Sequence, residues 1–316
     1  MFNWEIMHAH VTNAVREFFF TASMNYGANS NFIALIPKKE VALDIKDFRP
    51  VAIGNTIPKI ISKIIATRLG KVVKGLITLN QFGFVSGRSI QTCIFTASEC
   101  INAMRRKVKQ GSFAMKIDIS KAFDTMKWSF LLSILEMHGF SPRFITMVHN
   151  ILKSATLSIL VNGSSRGFFL CFRGFRQGDP LSGLLFTLAE DYLSLCLHIL
   201  VQAGLYNHIK VGRDLFAPTH LFYADDIMLF GTANTRTVSS VKRIFKHYED
   251  VAGQAISFHK SFVVFGEGVS IRKQNKIIRS LGVKKGSLPF NYHGAPLFWG
   301  RVKRCHLESI VLRIVS

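Results

Sequence analysis

Apolar residues recur along this chain at two spacings, and the switches between them mark its elements. From Ile60 to Val73 they stand at helical spacing with Lys59, Lys63, Arg68, Lys71 and Lys74 between them, which predicts an amphipathic helix. The same spacing predicts helices over 1–20, ending in Phe18-Phe19-Phe20, and over 95–109, ending in Arg105-Arg106-Lys107. Two more are expected at 128–138 and 142–153, the second opened by Ser141-Pro142 as N-cap and first helical residue. Asp179-Pro180 predicts the start of a long apolar helix reaching about residue 203, and Val238, Val241, Ile244, Phe245, Tyr248 and Val251 mark a further amphipathic one. Short apolar runs predict strands at 32–37, 113–119, 156–161 and 168–172, the last two joined by a turn at Asn162-Gly163-Ser164. A basic, polar loop through Lys38, Lys39 and Lys46 to Arg49-Pro50 follows the first strand. Leu221 to Phe230 is apolar except at Ala224-Asp225-Asp226, the pattern of a tight hairpin with acids at its tip, and two short strands are expected around Lys260. Helices and strand pairs in this order belong to an α+β fold with an antiparallel sheet.

Composition narrows the partner. The 316 residues suffice for one large or two modest domains, and no repeat or low-complexity linker divides them. A hydrophobic fraction of 48% with 28 Phe excludes a disordered basic tail, while 40 Lys+Arg against 19 Asp+Glu leave a net charge of +21. A folded core under so positive a surface points to nucleic acid ahead of an anionic membrane. The most apolar long stretch, Gly183 to Tyr206, carries Glu190, Asp191 and His198. Each acid at a bilayer centre would cost about 2.5–3.5 kcal/mol, so this stretch is expected to be a buried helix, not a span. The start, Met1-Phe2-Asn3-Trp4-Glu5, lacks a secretory signal pattern. Cys93, Cys100, Cys171, Cys196 and Cys305 are scattered and form no CxxC, and the 11 histidines form no HExxH. An intracellular protein with reduced thiols and no zinc site is expected.

The acids inside apolar runs carry the chemistry. Asp225 and Asp226 interrupt Leu-Phe-Tyr-Ala-Asp-Asp-Ile-Met-Leu-Phe, and Asp118 ends the strand Phe113-Ala114-Met115-Lys116-Ile117. Carboxylates near a core need solvent, a basic partner or a metal. If the two strands are neighbours, Asp118 and Asp225 converge at the sheet edge, where hard oxygen ligands suit Mg²⁺ shared with substrate phosphates. By spacing alone, a solvated turn explains the same residues equally well.

Three segments together resemble the palm of a reverse transcriptase: Phe-Tyr-Ala-Asp-Asp (222–226), Lys-Ile-Asp-Ile-Ser-Lys-Ala-Phe-Asp (116–124) and Arg-Gln-Gly-Asp-Pro-Leu-Ser (176–182). The finer pattern is similar to non-LTR, LINE-type retrotransposons, particularly plant ones. It is supported by Phe-Ile-Ala-Leu-Ile-Pro-Lys (32–38), Asp-Phe-Arg-Pro-Val (47–51), Gln-Phe-Gly-Phe-Val-Ser-Gly-Arg-Ser (81–89) and Leu-Val-Asn-Gly-Ser (160–164), in order over about residues 29–300. The resemblance implies a right-hand polymerase that adds dNTPs to a DNA primer on an RNA template, using two Mg²⁺ ions or Mn²⁺ in their place. Asp118, Asp225 and Asp226 match the metal-binding catalytic aspartates, and Lys260 the lysine that protonates the leaving pyrophosphate. Phe123 matches the residue under the incoming sugar, Gln177 and Gly178 the nucleotide loop, and Lys38 and Arg49 the triphosphate grip, where Lys39 is the alternative to Lys38. Gln81 and Arg88 match a template-contacting segment, and Tyr292 and Gly294 the primer grip. Without the family, Phe123 reads as a core residue, Lys260 as a turn lysine and the other cations as solvated charges.

The implied organisation is an N-terminal helical extension over 1–28, fingers over 29–112, palm over 113–286, and primer-grip segment with the start of a thumb over 287–316. Ser257, Gln254, Pro58 and the sequence Tyr292-His293-Gly294 depart from the family pattern, and the chain stops at Ser316 with most of a thumb lacking. The alternative expectation is therefore a truncated, inactive element remnant that only binds nucleic acid. Residence is expected to be intracellular, and nuclear if the protein acts as its relatives do.

Overall fold

The structure is a computed structural model in which residues 4–25, 27–106, 110–213, 215–304 and 308 are described. Met1 to Asn3, the end of the expected 95–109 helix at Lys107, Cys305 and the final residues to Ser316 lie outside the described residues. In chain order the first elements are α1 (Trp4–Thr21), β1 (Ser30–Pro37), β2 (Phe48–Gly54), α2 (Thr56–Leu76), α3 (Ile90–Ala103), β3 (Ser112–Asp118) and α4 (Ala122–Thr125). They are followed by α5 (Trp128–Met137), α6 (Pro142–Lys153), β4 (Thr156–Val161), β5 (Ser164–Leu170), α7 (Ser182–Gln202), β6 (His220–Tyr223) and β7 (Asp226–Thr232). The last are α8 (Thr235–Ala252), β8 (Phe262–Phe265), α9 (Ile271–Leu281), β9 (Lys284–Lys285), β10 (Phe290–Tyr292) and β11 (Ala295–Leu297). The mixed α+β expectation holds. Two compact units result, Met1–Leu76 with Lys121–Ala189, and Ile77–Ser120 with Glu190–Ser316.

The first unit holds a four-stranded sheet in the order β2-β1-β4-β5. The second strand of its β1–β2 hairpin lies where a loop was expected. Arg49 pairs with Ile36 and Pro50 with Leu35. Proline survives there because β2 is an edge strand whose outer side needs no amide donor. At the other edge, Asn162 (φ 49°) and Gly163 (φ 77°) make a two-residue turn, so pairing resumes at Val161↔Ser164 and β5 starts four residues earlier than expected. Against this sheet's helices, Ile61, Ile65, Leu69 and Val73 form one buried stripe of α2, at spacing i, i+4, i+8, i+12. Each is worth about 1.5–3 kcal/mol of apolar burial. Pro58 sits in the first turn of α2, where a missing N–H costs nothing. The Ser141 hydroxyl accepts the Phe144 N–H, capping α6 as expected. α7 begins at Ser182, not Pro180. The Asp179 carboxylate accepts the Leu181 N–H at 2.9 Å and pairs with Arg176 at 2.6 Å, so residues 179–181 form a separate turn ahead of the helix.

The second unit holds a five-stranded sheet in the order β6-β7-β3-β8-β9, antiparallel except where β9 joins β8. Its centre, β3, is almost continuously buried between β7 and β8. Cys93, Ala97, Cys100, Ile101 and Met104 bury one side of the α3 segment against Ala114, Met228, Phe230, Tyr292 and Leu297. Burial pushes the Cys93 thiol up to about 11 and the Cys100 thiol up to about 12, so both remain protonated packing groups. α3 opens on Ser89, whose hydroxyl accepts the Thr92 N–H, and it ends at Ala103. Arg105 and Arg106 are thus beyond the helix end, and the Arg106 guanidinium donates to the Val211 carbonyl. Of the two strands expected around Lys260, only β8 forms; the other is a single bridge between Ile119 and Ile256.

One helix among the described residues, Ser182–Gln202, is long and apolar enough to cross a membrane, yet 67% of it is buried inside the protein. Glu190 and Asp191 on it are fully buried and bonded to Gln81 and Thr78.

Candidate active site

Strand register in the second unit brings the three aspartates together. β3 runs antiparallel to β7, so Asp118 at the end of one strand stands directly opposite Asp226 at the start of the other. Tyr223 pairs with Asp226 across a two-residue turn, Ala224-Asp225, with Ala224 in the left-handed region at φ 52°. Ala224 is buried, while Asp225 reaches solvent at the tip. The expected hairpin and the expected convergence are both present. Asp118 is anchored through its backbone: its N–H donates to the Ser261 hydroxyl at 3.1 Å, and its carbonyl accepts the Ser257 N–H at 2.8 Å.

The carboxylates are electrostatically coupled. Crowding by the surrounding protein, and then the charges of Asp226 and Asp118, hold the Asp225 carboxyl above the usual carboxylate range, with a backbone hydrogen bond and Lys116 pulling the other way. Basic groups stand beside the other two acids. Lys116 Nζ lies 2.7 Å from Asp226 Oδ1, Lys260 Nζ 3.6 Å from Asp118 Oδ1, and His293 Nδ1 3.6 Å from Asp226 Oδ2. Among the described residues no group of three or more His, Cys, Asp or Glu side chains stands ready as a metal cage. The donor set nevertheless suits a hard divalent cation: three neighbouring carboxylates, one of them raised by burial and then by its neighbours' charges, gain from a positive charge placed among them.

Two of these neighbours were not singled out from sequence. Lys116 precedes Asp118 by two residues, so the strand period places both on one face, a signal that was available. His293 carries no comparable signal. Its place beside Asp226 depends on the β10–β11 hairpin, where it adopts φ 49° and its ring meets Tyr223 edge-on at 4.8 Å. Burial holds its imidazole below the ordinary value.

Residues matched to template and primer roles lie around this hairpin in different states. Gln81 is fully buried; its amide donates to Glu190 Oε2 at 2.8 Å and accepts the Gly83 N–H at 2.9 Å. Main-chain bonds run from Phe82 N–H to the Phe222 carbonyl and from Phe222 N–H to the Asn80 carbonyl, so residues 80–83 strap β6. The Arg88 guanidinium donates to the carbonyls of Thr78 and Gln81. Tyr292 is buried with its hydroxyl 3.5 Å from Cys93 Sγ, and Gly294 forms the β10–β11 turn at φ 83°.

Glu190 is the hidden acid of this region. Burial pushes its carboxyl well above the usual range, helped by Asp225, Asp191 and Asp226 and opposed by the Gln81 hydrogen bond. Folded Glu190 therefore keeps a proton that the unfolded chain releases above its ordinary value of 4.5. Because the native state binds more protons there, stability falls as pH rises from that value toward the folded pKa. Glu190→Gln retains an acceptor for Gln81 without the charge. Calorimetry should show it gaining more in Tm over the unmodified chain near about pH 8 than near about pH 5. Equal gains at the two pH values would refute a buried neutral acid.

The nucleotide-matched residues belong to the first unit. Phe123 is half-buried, stacked on Phe186 with centroids 4.7 Å apart and edge-on to Phe175 at 6.3 Å. The Gln177 carbonyl accepts the Ala52 N–H of β2, and Gly178 has φ 103°, with a Cβ there meeting the Ala52 carbonyl at 3.3 Å. Lys38 and Arg49 are exposed on and beside the β1–β2 hairpin. Lys38 Nζ donates to the Lys46 carbonyl at 2.9 Å, whereas Lys39 is held by Asp47 at 2.9 Å.

Comparison with known proteins accounts for this arrangement. Residues 36–294 match the family model described as reverse transcriptase (RNA-dependent DNA polymerase). The chain is 31% identical over 228 residues, 72% of its length, to the transposon TX1 uncharacterized 149 kDa protein of Xenopus laevis. It is 30% identical over 203 residues, 64% of its length, to the Pol polyprotein of the type-2 retrotransposable element R2DM of Drosophila melanogaster. It spans only 17% and 18% of the lengths of these relatives. Among solved structures, apo telomerase from Candida tropicalis superposes with TM-score 0.55 at 13% identity, covering 84% of this chain and 50% of that one. This likeness extends to the right-hand polymerase fold expected from sequence. A match over most of the chain, with relatives among non-LTR retrotransposon Pol proteins, places the protein in the reverse transcriptase (RNA-dependent DNA polymerase) family.

Proposed function

We propose that the chain is the polymerising part of a LINE-type retrotransposon protein, adding dNTPs to the 3′-hydroxyl of a DNA primer on an RNA template. The observation that carries this reading is the direct pairing of Asp118 with Asp226 beside Asp225, in a member of the reverse transcriptase family. Asp118, Asp225 and Asp226 would hold Mg²⁺, or Mn²⁺ in its place. Held by these carboxylates, such ions would supply Lewis-acid activation of the primer hydroxyl and charge neutralisation for the leaving pyrophosphate. Lys260, 3.6 Å from Asp118 and largely exposed, would give the pyrophosphate its proton. Lys116 must yield its hold on Asp226 when a cation arrives. Phe123 would support the incoming sugar, Gln177 and Gly178 would form the loop against the nucleotide, and Lys38 and Arg49 would hold its phosphates. Arg88, Tyr292 and Gly294 would contact template and primer, with Gln81 supporting them from its buried position. In this reading residues 29–112 act as fingers, 113–286 as palm and 287–316 as primer grip and start of a thumb, following the extension at 1–28. Residence would be intracellular, at the nucleic acid it copies.

The second reading is a protein that binds nucleic acid without polymerising, and the observation favouring it is the two lysines, Lys260 and Lys116, already seated against Asp118 and Asp226. One assay separates the two. An RNA template annealed to a DNA primer, with dNTPs and Mg²⁺, should be extended, and a chelator should stop it. Template–primer binding without extension in either Mg²⁺ or Mn²⁺ would favour the second reading and overturn the first.

A further inference from the structure

The strongest unassigned feature is a basic groove beside α9. A cavity of about 690 Å³ opens between the start of α8 and α9, lined by Thr235, Ser270, Arg272, Lys273, Lys276 and Arg279. Four cations line it and no acid does. α9 itself contains no Asp or Glu, and it turns Ile277 and Leu281 inward while Arg272, Lys276 and Arg279 stay exposed. Among the described residues these three cations form no ion pair, whereas Lys39, Lys46, Lys116, Lys246 and Lys260 each have one. A basic face kept only for solubility is ordinarily interspersed with acids, as α8 is with Glu249 and Asp250 beside Lys246.

The groove is not part of the aspartate site. β8 runs antiparallel to β3, so Phe265, which leads toward α9, pairs with Phe113 at the start of β3. Thr232, which leads into α8, pairs with Ser112. Lys273 Nζ donates to the Gln110 carbonyl at 2.7 Å, just before β3. The groove therefore lies at the sheet end opposite Asp118 and Asp226, about 20 Å away at 3.3 Å per strand residue.

We propose that this groove is a second nucleic-acid contact, holding the phosphate backbone of RNA outside the catalytic end. Arg272, Lys276 and Arg279 follow one helix face over about 10 Å, the axial length in which one strand of a duplex presents about three phosphates. Thr235 and Ser270 add neutral hydrogen-bonding groups beside the cations. That the occupant is a phosphate polymer follows from charge; that it is RNA rests on the templating activity proposed above.

The test is the triple substitution Arg272→Gln/Lys276→Gln/Arg279→Gln in the full chain. Binding of a long hairpin RNA is titrated across a salt series, beside extension of a minimal template–primer too short to reach the groove. Affinity for the hairpin should fall at least tenfold, and the slope of log K against log salt should drop by about 2.7, or about 0.9 per lost contact on a duplex. Extension on the minimal substrate should stay within about twofold, since no catalytic group is touched. If the triple variant unfolds, Lys276→Gln alone should lower the slope by about 0.9. Unchanged affinity and slope in a folded variant overturn the proposal. So does a loss confined to duplex DNA or to anionic lipid vesicles. A groove effect on RNA in a chain that extends no primer would leave this inference standing while removing the polymerase reading.

Discussion

Asp225→Ala is expected to abolish Mg²⁺-dependent primer extension, by at least two orders of magnitude, without weakening the fold. If Asp225 holds a metal as proposed, its loss removes transition-state stabilisation of several kcal/mol, and each 1.4 kcal/mol is about tenfold in rate. Stability should move the other way. The folded environment already disfavours the Asp225 charge, through crowding and through the neighbouring charges of Asp226 and Asp118. An acid raised in the folded state costs stability at pH values above its unfolded pKa, so removing it at neutral pH should leave Tm unchanged or raise it. RNA binding, carried by distant Lys and Arg contacts, should change little. The measurement is a pair: single-turnover extension and thermal unfolding on the same preparation. Retained activity would remove Asp225 from the chemistry. Lost activity with a large fall in Tm would mean that the residue serves the turn instead.

The second large effect is expected at a residue that touches no substrate. Gly83 lies in the strap formed by residues 80–83, and a Cβ added to it would stand 2.3 Å from the Ala224 nitrogen and 3.0 Å from its Cα. Backbone cannot rotate aside as a side chain can. Gly83→Ala must therefore push either the strap or the Ala224-Asp225 turn, at a cost of about 1–3 kcal/mol of overpacking. Displacing the turn by even about 1 Å would misalign the carboxylates, which can cost about a hundredfold in rate. Gly75→Ala is the matched control. Gly75 is in α2 with nothing within 4 Å of its added Cβ, so alanine there should be neutral or stabilise by up to about 1 kcal/mol. Extension rates and Tm values for the two variants decide the matter. Equal behaviour would mean that the strap does not hold the turn.

The division between what could be read early and what could not follows chain distance. Periodicity located most helices and the Asp-bearing hairpin, because these depend on neighbours within a few residues. Helix α8 illustrates this: Val238, Val241, Phe245 and Tyr248, spaced for one helix face, are all buried. The ordered family segments pointed to the aspartates and to Lys260 beside Asp118. Elements that become strands only through a partner's edge were missed. β2 contains Arg49, Pro50 and Gly54 among its apolar residues, and becomes a strand because β1 offers it an edge. β9 is two lysines that qualify only by lying beside β8.

Sequence alone determined the acids, their placement at strand ends and the excess positive charge that a polyanion would meet. It did so because strand and helix periods are local and charges are simply counted. Only the tertiary structure decided that Asp118 faces Asp226, that Lys116 and His293 stand against the same carboxylate, and that Gln81 is buried against Glu190, whose carboxyl burial pushes well above the usual range. Register, burial and charge coupling join residues many tens of positions apart, which no local spacing records.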